Sequence, residues 1–572
     1  MPDPEESGGG SLEALNRFVR AGAANWTFGI SPAGLALAFA DWALHLAAAP
    51  GKQIELAQKI ERKFASFAAL VAFDRPWAPA PTVIEPLPAD MRFRDQAWRA
   101  WPFDLYYQAF LLVQQWLHVA SDDVPGARRH SLDVVHFAFR QLLDVWSPSN
   151  FPATNPEIVT DAWRSGGGNF ARGAANLLAD LAASAAPPRR SENFVPGRDV
   201  AITPGRVVFR NRLIELIRYA PATAEVWDTP ILIVPAWIMK YYILDLSPGN
   251  SLIRHLVAQG RTVYAISWHN PDEADRNLSM EDYRRLGAMA AIDAISAAHP
   301  DSRIDALGYC LGGTLTTIVA AAMARDGDTR LRSLALLAAQ TDFSEPGELA
   351  LFIGESQIDF IEAMMWRNGY LDTRQMSGAF QILRSNDLIW SRIVRRYLLG
   401  DAEAPTDLMA WNADATRMPY RMHAEYLRGL FLRNDLAGGR YLVEGRSVAL
   451  SDIAIPVFAV GTERDHVAPW RSVYKIALFA GGDVTFALTS GGHNLGIVDP
   501  PGTPGRRFRI GVLRAGQPYV DPDRWLAEAE MREGSWWAAL DTWLAAQGGG
   551  RGKPPKMPDG LAPAPGTYVH EV

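Results

Sequence analysis

The chain has 572 residues, enough for two or more domains or for one large domain with additions. Its net charge of −7, from 56 basic and 63 acidic residues, leaves no basic footprint for nucleic acid. A single cysteine excludes an intrachain disulfide and suits a reducing compartment, and the most apolar candidate for a membrane span, residues 34–49, is interrupted by Asp41 and His45.

In chain order, residues 1–10 (MPDPEESGGG) are acidic, lack an apolar signal region and are expected to be a disordered leader. Helical periodicity runs from Ser11 to about Val71, breaks at the Pro-rich stretch 74–90, and returns from Phe93 to Leu143. A loop follows at 147–158, then a last helix over Gly168–Ala183. Residues 11–195 are therefore expected to be an all-α domain, with a boundary in the Pro- and Gly-containing stretch 184–206. Beyond it, short β-branched runs alternate with helical segments. Val207–Phe209 and Leu216–Tyr219 suit a hairpin. Ile231–Val234, Thr262–Ser267, Ile304–Leu307 and Leu331–Leu337 are bounded apolar runs of the buried parallel kind, with helices over 249–259, 279–299 and 312–326 between them. Residues 343–450, rich in aromatic and Met residues and helical in pattern, interrupt this alternation and are expected to form a cap. Strands resume at Ile455–Val460 and Val484–Leu488. This gives an α/β catalytic domain over 196–546, followed by a low-complexity tail, 547–572, expected to be disordered.

The chemistry centres on Ile304–Thr314, IDALGYCLGGT. A strand, a Gly-flanked turn and an apolar helix make a nucleophile elbow, here carrying cysteine instead of serine. Glycines allow close packing around a strained turn, and the amide of Leu311 is then a candidate oxyanion donor. Cys310 is the only cysteine of the chain. A thiolate is both a good nucleophile and a good leaving group, which suggests acyl transfer from thioesters.

The elbow fold orders its triad as nucleophile, acid, histidine. Of eleven histidines only 423, 466, 493 and 570 follow Cys310. His570 falls in the tail, His423 in the cap, and His466 beside the acid candidates; His493, in TSGGHN after the last strand, is left as the base. The acid should follow IPVFAV, where Glu463 and Asp465 are both available; Asp465 is favoured because the loop then turns at Val467–Trp470. The second oxyanion donor should come from the loop after an early strand, Val234–Ile238, with the Ile238 amide as candidate.

These residues resemble the poly(3-hydroxyalkanoate) synthases, most closely the single-subunit class I type. GYCLGG matches the family's G-x-C-x-G-G box. The stretch IVPAWIMKYYILDLSPGNSLIRHLVAQG, ISWHNPD at 266–272, LRSNDLIW at 383–390, WNADATRMP at 411–419, DHVAPW at 465–470 and GGHN at 491–494 also fit. So do SPAGLALAFADWALHLAAAPGKQ, FRDQAWRAWPF and SPSNFPATNPE in the N-terminal part. There are departures: Pro235-Ala236-Trp237 and Ile238-Met239-Lys240 replace the family's Pro-Pro-Trp and Ile-Asn-Lys, and HNLGIVDPP replaces its HIAGVVNPP. They touch the pocket rim and could mark a divergent second synthase.

The resemblance implies an α/β-hydrolase fold with a cap, and polymerisation of (R)-3-hydroxyacyl-CoA, such as 3-hydroxybutyryl-CoA, with release of CoA. It implies no cofactor or metal, a homodimer, and a cytoplasmic location at the surface of polyester granules. It leaves open whether one thiol or two, across a dimer, hold the growing chain. The alternative is a cysteine-elbow thioesterase or intracellular polyester depolymerase, in which water replaces the hydroxyl acceptor.

Overall fold

The computed structural model describes residues 29–73, 82–87, 90–185 and 193–572, with a few positions before 29 and apart from scattered positions between 374 and 403. The expected leader, 1–10, lies outside the described residues. Two compact units result: a helical unit, Ala24–Arg189 with Met376–Ala404, and a catalytic unit containing Arg190–Gln375 and Pro405–Val572.

The helical unit holds helices Pro32–Ala47, Pro50–Phe73, Phe103–Ser121, Arg129–Val145, Pro156–Ser165 and Gly168–Ala185. Their starts follow capping chemistry. Proline at the first helical position loses no needed amide, and Ser31 and Asn155 accept from the first turns of their helices. Phe93, Trp98, Tyr107, Phe110 and Leu111 form one buried cluster. Among the described residues no single helix is long and apolar enough to cross a membrane.

Residues 376–404, expected within the cap, group instead with the helical unit. The reason is polar and long-range. Asp180 accepts from Arg396 Nη2 at 2.6 Å and Tyr397 Oη at 2.8 Å, Asn169 Nδ2 donates to the Leu398 carbonyl, and Ser385 Oγ donates to Asp144. Helix Gly168–Ala185 comes so close that a Cβ on Gly173 would lie 1.9 Å from the Tyr397 carbonyl oxygen.

The catalytic unit is built on one mixed sheet. Its strands are β1 (Gly205–Arg210), β2 (Ile214–Tyr219), β3 (Pro230–Val234), β4 (Thr262–Trp268), β5 (Ile304–Tyr309), β6 (Leu331–Leu337), β7 (Val457–Thr462), β8 (Val484–Thr489), β9 (Arg507–Leu513), β10 (Glu530–Glu533) and β11 (Ala562–Pro563). The order across the sheet is β10-β9-β8-β7-β6-β5-β3-β4-β2-β1-β11. The centre, β4 through β8, is parallel, and the flanks are antiparallel. Every residue of β3, β4, β5, β7 and β8 is buried, as expected of strands covered on both faces. Val234 pairs with Gly308 and Tyr309 with Leu337, so the carboxyl ends of β3, β5 and β6 finish level. A crevice beyond those ends is where open α/β sheets bind ligands.

The tail is ordered, contrary to the expectation from its composition. β11 pairs with β1, and Arg551–Gly552 pairs with Val226–Trp227. Arg218 donates to the Pro555 and Lys556 carbonyls, the buried Glu215 accepts from the Thr567 and Tyr568 amides, and Val569 is wholly buried. Lys240 Nζ, itself buried, donates to the carbonyls of Tyr568 at 3.0 Å and Glu571 at 2.8 Å. His269 lies between Glu571 and Asp275; against the pull of burial, these carboxylates raise its imidazole to about 9. A Gly- and Pro-rich segment cannot fold by itself, yet here distant buried groups supply its partners.

Candidate active site

β5 ends at Tyr309, and helix Leu311–Arg325 begins one residue past Cys310. The turn between them holds Cys310 at φ 53°, ψ −123°, a region that a side chain rarely adopts. Three glycines allow it. A Cβ on Gly308 would lie 2.3 Å from the Gly313 Cα, one on Gly312 would lie 2.0 Å from the Val234 carbonyl oxygen, and one on Gly313 would lie 2.3 Å from the Ala339 Cβ. The Cys310 amide donates to the Leu337 carbonyl at 2.9 Å, which ties the strained residue to β6. As the first residue of its helix, Leu311 has an amide with no intrahelical acceptor. Ile238 stands in the loop after β3, and its carbonyl accepts from the Thr416 amide at 3.1 Å.

His493 Nδ1 meets Asp465 Oδ2 at 2.8 Å. Asp465, not Glu463, makes this contact; Asp465 is buried, and Glu463 is half-buried. The second oxygen of Asp465 accepts from the Val467 and Ala468 amides at 2.9 and 2.8 Å. Burial pushes the Asp465 carboxyl up, but His493 and these amides outweigh it and hold it below 3.8. At His493 burial works downward. The Asp465 carboxylate and a Cys310 thiolate, which shares a hydrogen bond with this histidine, raise it well above 6.5. An imidazolium beside the Asp465 carboxylate is therefore favoured at His493.

The histidine loop is held from below. Trp536 Nε1 donates to the Gly496 carbonyl and Trp537 Nε1 to the Ile497 carbonyl, each at 2.9 Å. Arg464 N reaches the Gly491 carbonyl and Glu463 N the Thr489 carbonyl, both at 2.9 Å, which locks the acid and histidine loops together.

Comparison with known proteins bears on what this arrangement does. Residues 10–52 match the family described as poly-beta-hydroxybutyrate polymerase N terminal, residues 89–256 match the poly-beta-hydroxybutyrate polymerase (PhaC) N-terminus, and residues 229–500 match the alpha/beta hydrolase fold. The poly(3-hydroxyalkanoate) polymerase of Methylorubrum extorquens is 42% identical over 91% of this chain and 87% of its own. This chain belongs to the poly(3-hydroxyalkanoate) polymerase family. Other members of that family are the polymerase subunits PhaC of Rhizobium meliloti, 37% identical over 84% of this chain and 79% of its own, and of Cupriavidus necator, 35% identical over 84% and 83%. Among solved structures, an alpha/beta hydrolase fold protein from Chitinophaga pinensis is similar over 52% of this chain and 93% of its own, at 13% identity and a TM-score of 0.29.

In this member of the polymerase family the structure adds residues that the sequence did not single out. Tyr426, from the cap, is pushed well above 10 by burial and by its electrostatic interaction with Cys310, which keeps its phenol neutral. Its ring packs on Phe431 and Phe343 and stacks at 30° to His423, which burial pushes down to about 3 and so keeps neutral. The cap segment carrying WNADATRMP packs against the loop after β3: Trp411 Nε1 donates to the Lys240 carbonyl at 2.7 Å, and Thr416 Oγ1 donates to the Trp237 carbonyl. The sequence signal for Trp411 was its place in that motif. For Tyr426 and His423, in a cap full of aromatics, there was none.

Proposed function

We propose that this chain polymerises (R)-3-hydroxyacyl-CoA, such as 3-hydroxybutyryl-CoA, through an acyl group carried on Cys310. The observation that carries this reading is the cysteine on the strained turn facing the His493–Asp465 pair, in a chain of the polymerase family. The Cys310 thiolate attacks the thioester carbonyl. The new carbon–sulfur bond forms, the bond to the CoA sulfur breaks, and His493 gives its proton to the departing CoA thiolate. His493, now neutral, takes the proton of the 3-hydroxyl of a second substrate. That oxygen attacks the acyl-cysteine, an ester forms, and Cys310 leaves as thiolate. The lengthened acyl-CoA then re-enters the cycle. Asp465 orients the imidazole and stabilises its cation, and the amides of Leu311 and Ile238 receive the oxyanion. No cofactor or metal takes part.

The protein would work as a homodimer in the cytoplasm, at the surface of the polyester. Large apolar side chains exposed on the first two helices, Leu37, Leu44, Ile54 and Phe64, support contact with such a surface. The test is purified protein with (R)-3-hydroxybutyryl-CoA, following CoA release and the product. Polymer from the wild type and no CoA release from Cys310→Ala are expected; free 3-hydroxy acid as the product would favour a hydrolase and overturn the reading.

A further inference from the structure

Tyr309 precedes Cys310, and Asn494 follows His493. Tyr309 Oη donates to Asn494 Oδ1 at 2.8 Å, and the tyrosine ring lies 5.7 Å from the imidazole, inclined by 35°. Contacts 309–494 and 310–493 therefore run side by side. We propose that Tyr309 and Asn494 form a brace that sets the spacing of Cys310 and His493 and ties it to the cap through Asn412. The proposal rests on the reading of Cys310 as nucleophile and His493 as base.

Three observations carry it. First, the bond to Asp465 and the hydrogen bond shared with Cys310 define a line through the His493 ring, and a tyrosine ring packed beside it limits swing about that line. Second, the brace holds at every working pH. Burial, with the negative charges of Cys310 and Asp465, keeps the Tyr309 phenol protonated well above 10, so it is a fixed donor. Third, that donor sets the carboxamide of Asn494: its oxygen faces Tyr309, and its nitrogen points to Asn412 Oδ1 at 3.5 Å. Asn412 follows Trp411, whose indole donates to the Lys240 carbonyl. Contacts thus run from β5 through the histidine loop and the cap to the loop of Ile238. A phenol that merely needed a partner for its buried hydroxyl would affect stability and nothing else.

The experiment measures alkylation of Cys310 by iodoacetamide as a function of pH on the full chain, read by intact mass, for wild type, His493→Ala, Tyr309→Phe, Asn494→Leu and the Tyr309→Phe/Asn494→Leu double variant, with Tm for each. His493→Ala should raise the pH of half-maximal rate. Tyr309→Phe should shift it the same way and slow alkylation at pH 7 by about 3- to 10-fold, Asn494→Leu should match it, and the double variant should be no worse than either single one. An unchanged profile in His493→Ala would overturn the pairing and the brace with it. A shifted His493→Ala profile beside unchanged Tyr309→Phe and Asn494→Leu profiles, or additive effects in the double variant, would overturn the brace alone.

Discussion

Cys310 carries the cost of a positive-φ backbone, and its glycine neighbours make room for it. Strain of this kind is on the order of 1–3 kcal/mol and survives only where the surroundings over-determine it. Because the thiol gives up its proton more readily than an alcohol, Asp465→Asn should slow the first release of CoA less than it slows elongation, where losses of about 10²-fold or more are expected. Separate measurement of a single-turnover CoA burst and of steady polymer formation checks this; Glu463→Gln should behave as wild type in both. The same pair shapes stability. The lowered Asp465 contributes above 3.8, and that contribution is lost as pH falls through its lower folded value. The raised His493 contributes fully below 6.5 and loses its contribution as pH rises through its higher folded value. The Tm difference between wild type and Asp465→Asn should therefore be largest at about pH 4–6.5 and shrink towards both extremes. At this scale the sequence is informative where fold order restricts the choice: few histidines follow Cys310, and His493 lies in the loop directly after the last parallel strand. Tyr309 and Asn494 escape it, because their contact depends on where β5 and the histidine loop finish relative to each other.

Glycine separates the two units at the level of elements. Gly312→Ala forces a Cβ against the Val234 carbonyl, so strand β3 and helix Leu311–Arg325 must part. The expected loss is about 1–3 kcal/mol, together with slower alkylation of Cys310. Gly173→Ala forces a Cβ against the Tyr397 carbonyl inside the helical unit. It should cost a similar amount while leaving the alkylation rate unchanged, which Tm and iodoacetamide kinetics together would show. The apolar runs that became β3 to β8 were legible because buried parallel strands write themselves as continuous hydrophobic stretches. β9 and β10 were not. Arg507–Leu513 is largely half-exposed and Glu530–Glu533 wholly exposed, at an edge where polar residues are tolerated. Met376–Ala404 looked like cap because its own pattern is helical; its allegiance lies in Asp144, Asn169 and Asp180, hundreds of positions away.

For the whole molecule, the largest departure from composition is the segment 547–572. Gly and Pro content says disorder, whereas Glu215, Arg218 and Lys240 each hold part of it in place. Deleting residues 567–572 removes two carbonyl acceptors from the buried Lys240 ammonium, and hydrogen bonds to charged groups are worth about 1.5–3 kcal/mol each. Truncation should lower Tm clearly. Lys240→Met should cost less in the truncated chain than in the full one, a non-additivity that a double-mutant cycle in urea would reveal.

That docking also sets a clock on the newborn chain. Glu215 waits for Thr567 across 352 positions, which ribosomes traverse in about 20–70 s. His493 is made well before Thr567, so every nascent chain passes through an interval with Cys310, Asp465 and His493 all synthesised while one edge of its sheet, and the loop of Ile238, still lack their last neighbours. Contacts of such long range also form slowly. Catalytic competence should therefore lag behind synthesis of His493, and until Thr567 docks the β1 edge of the sheet is open to other chains.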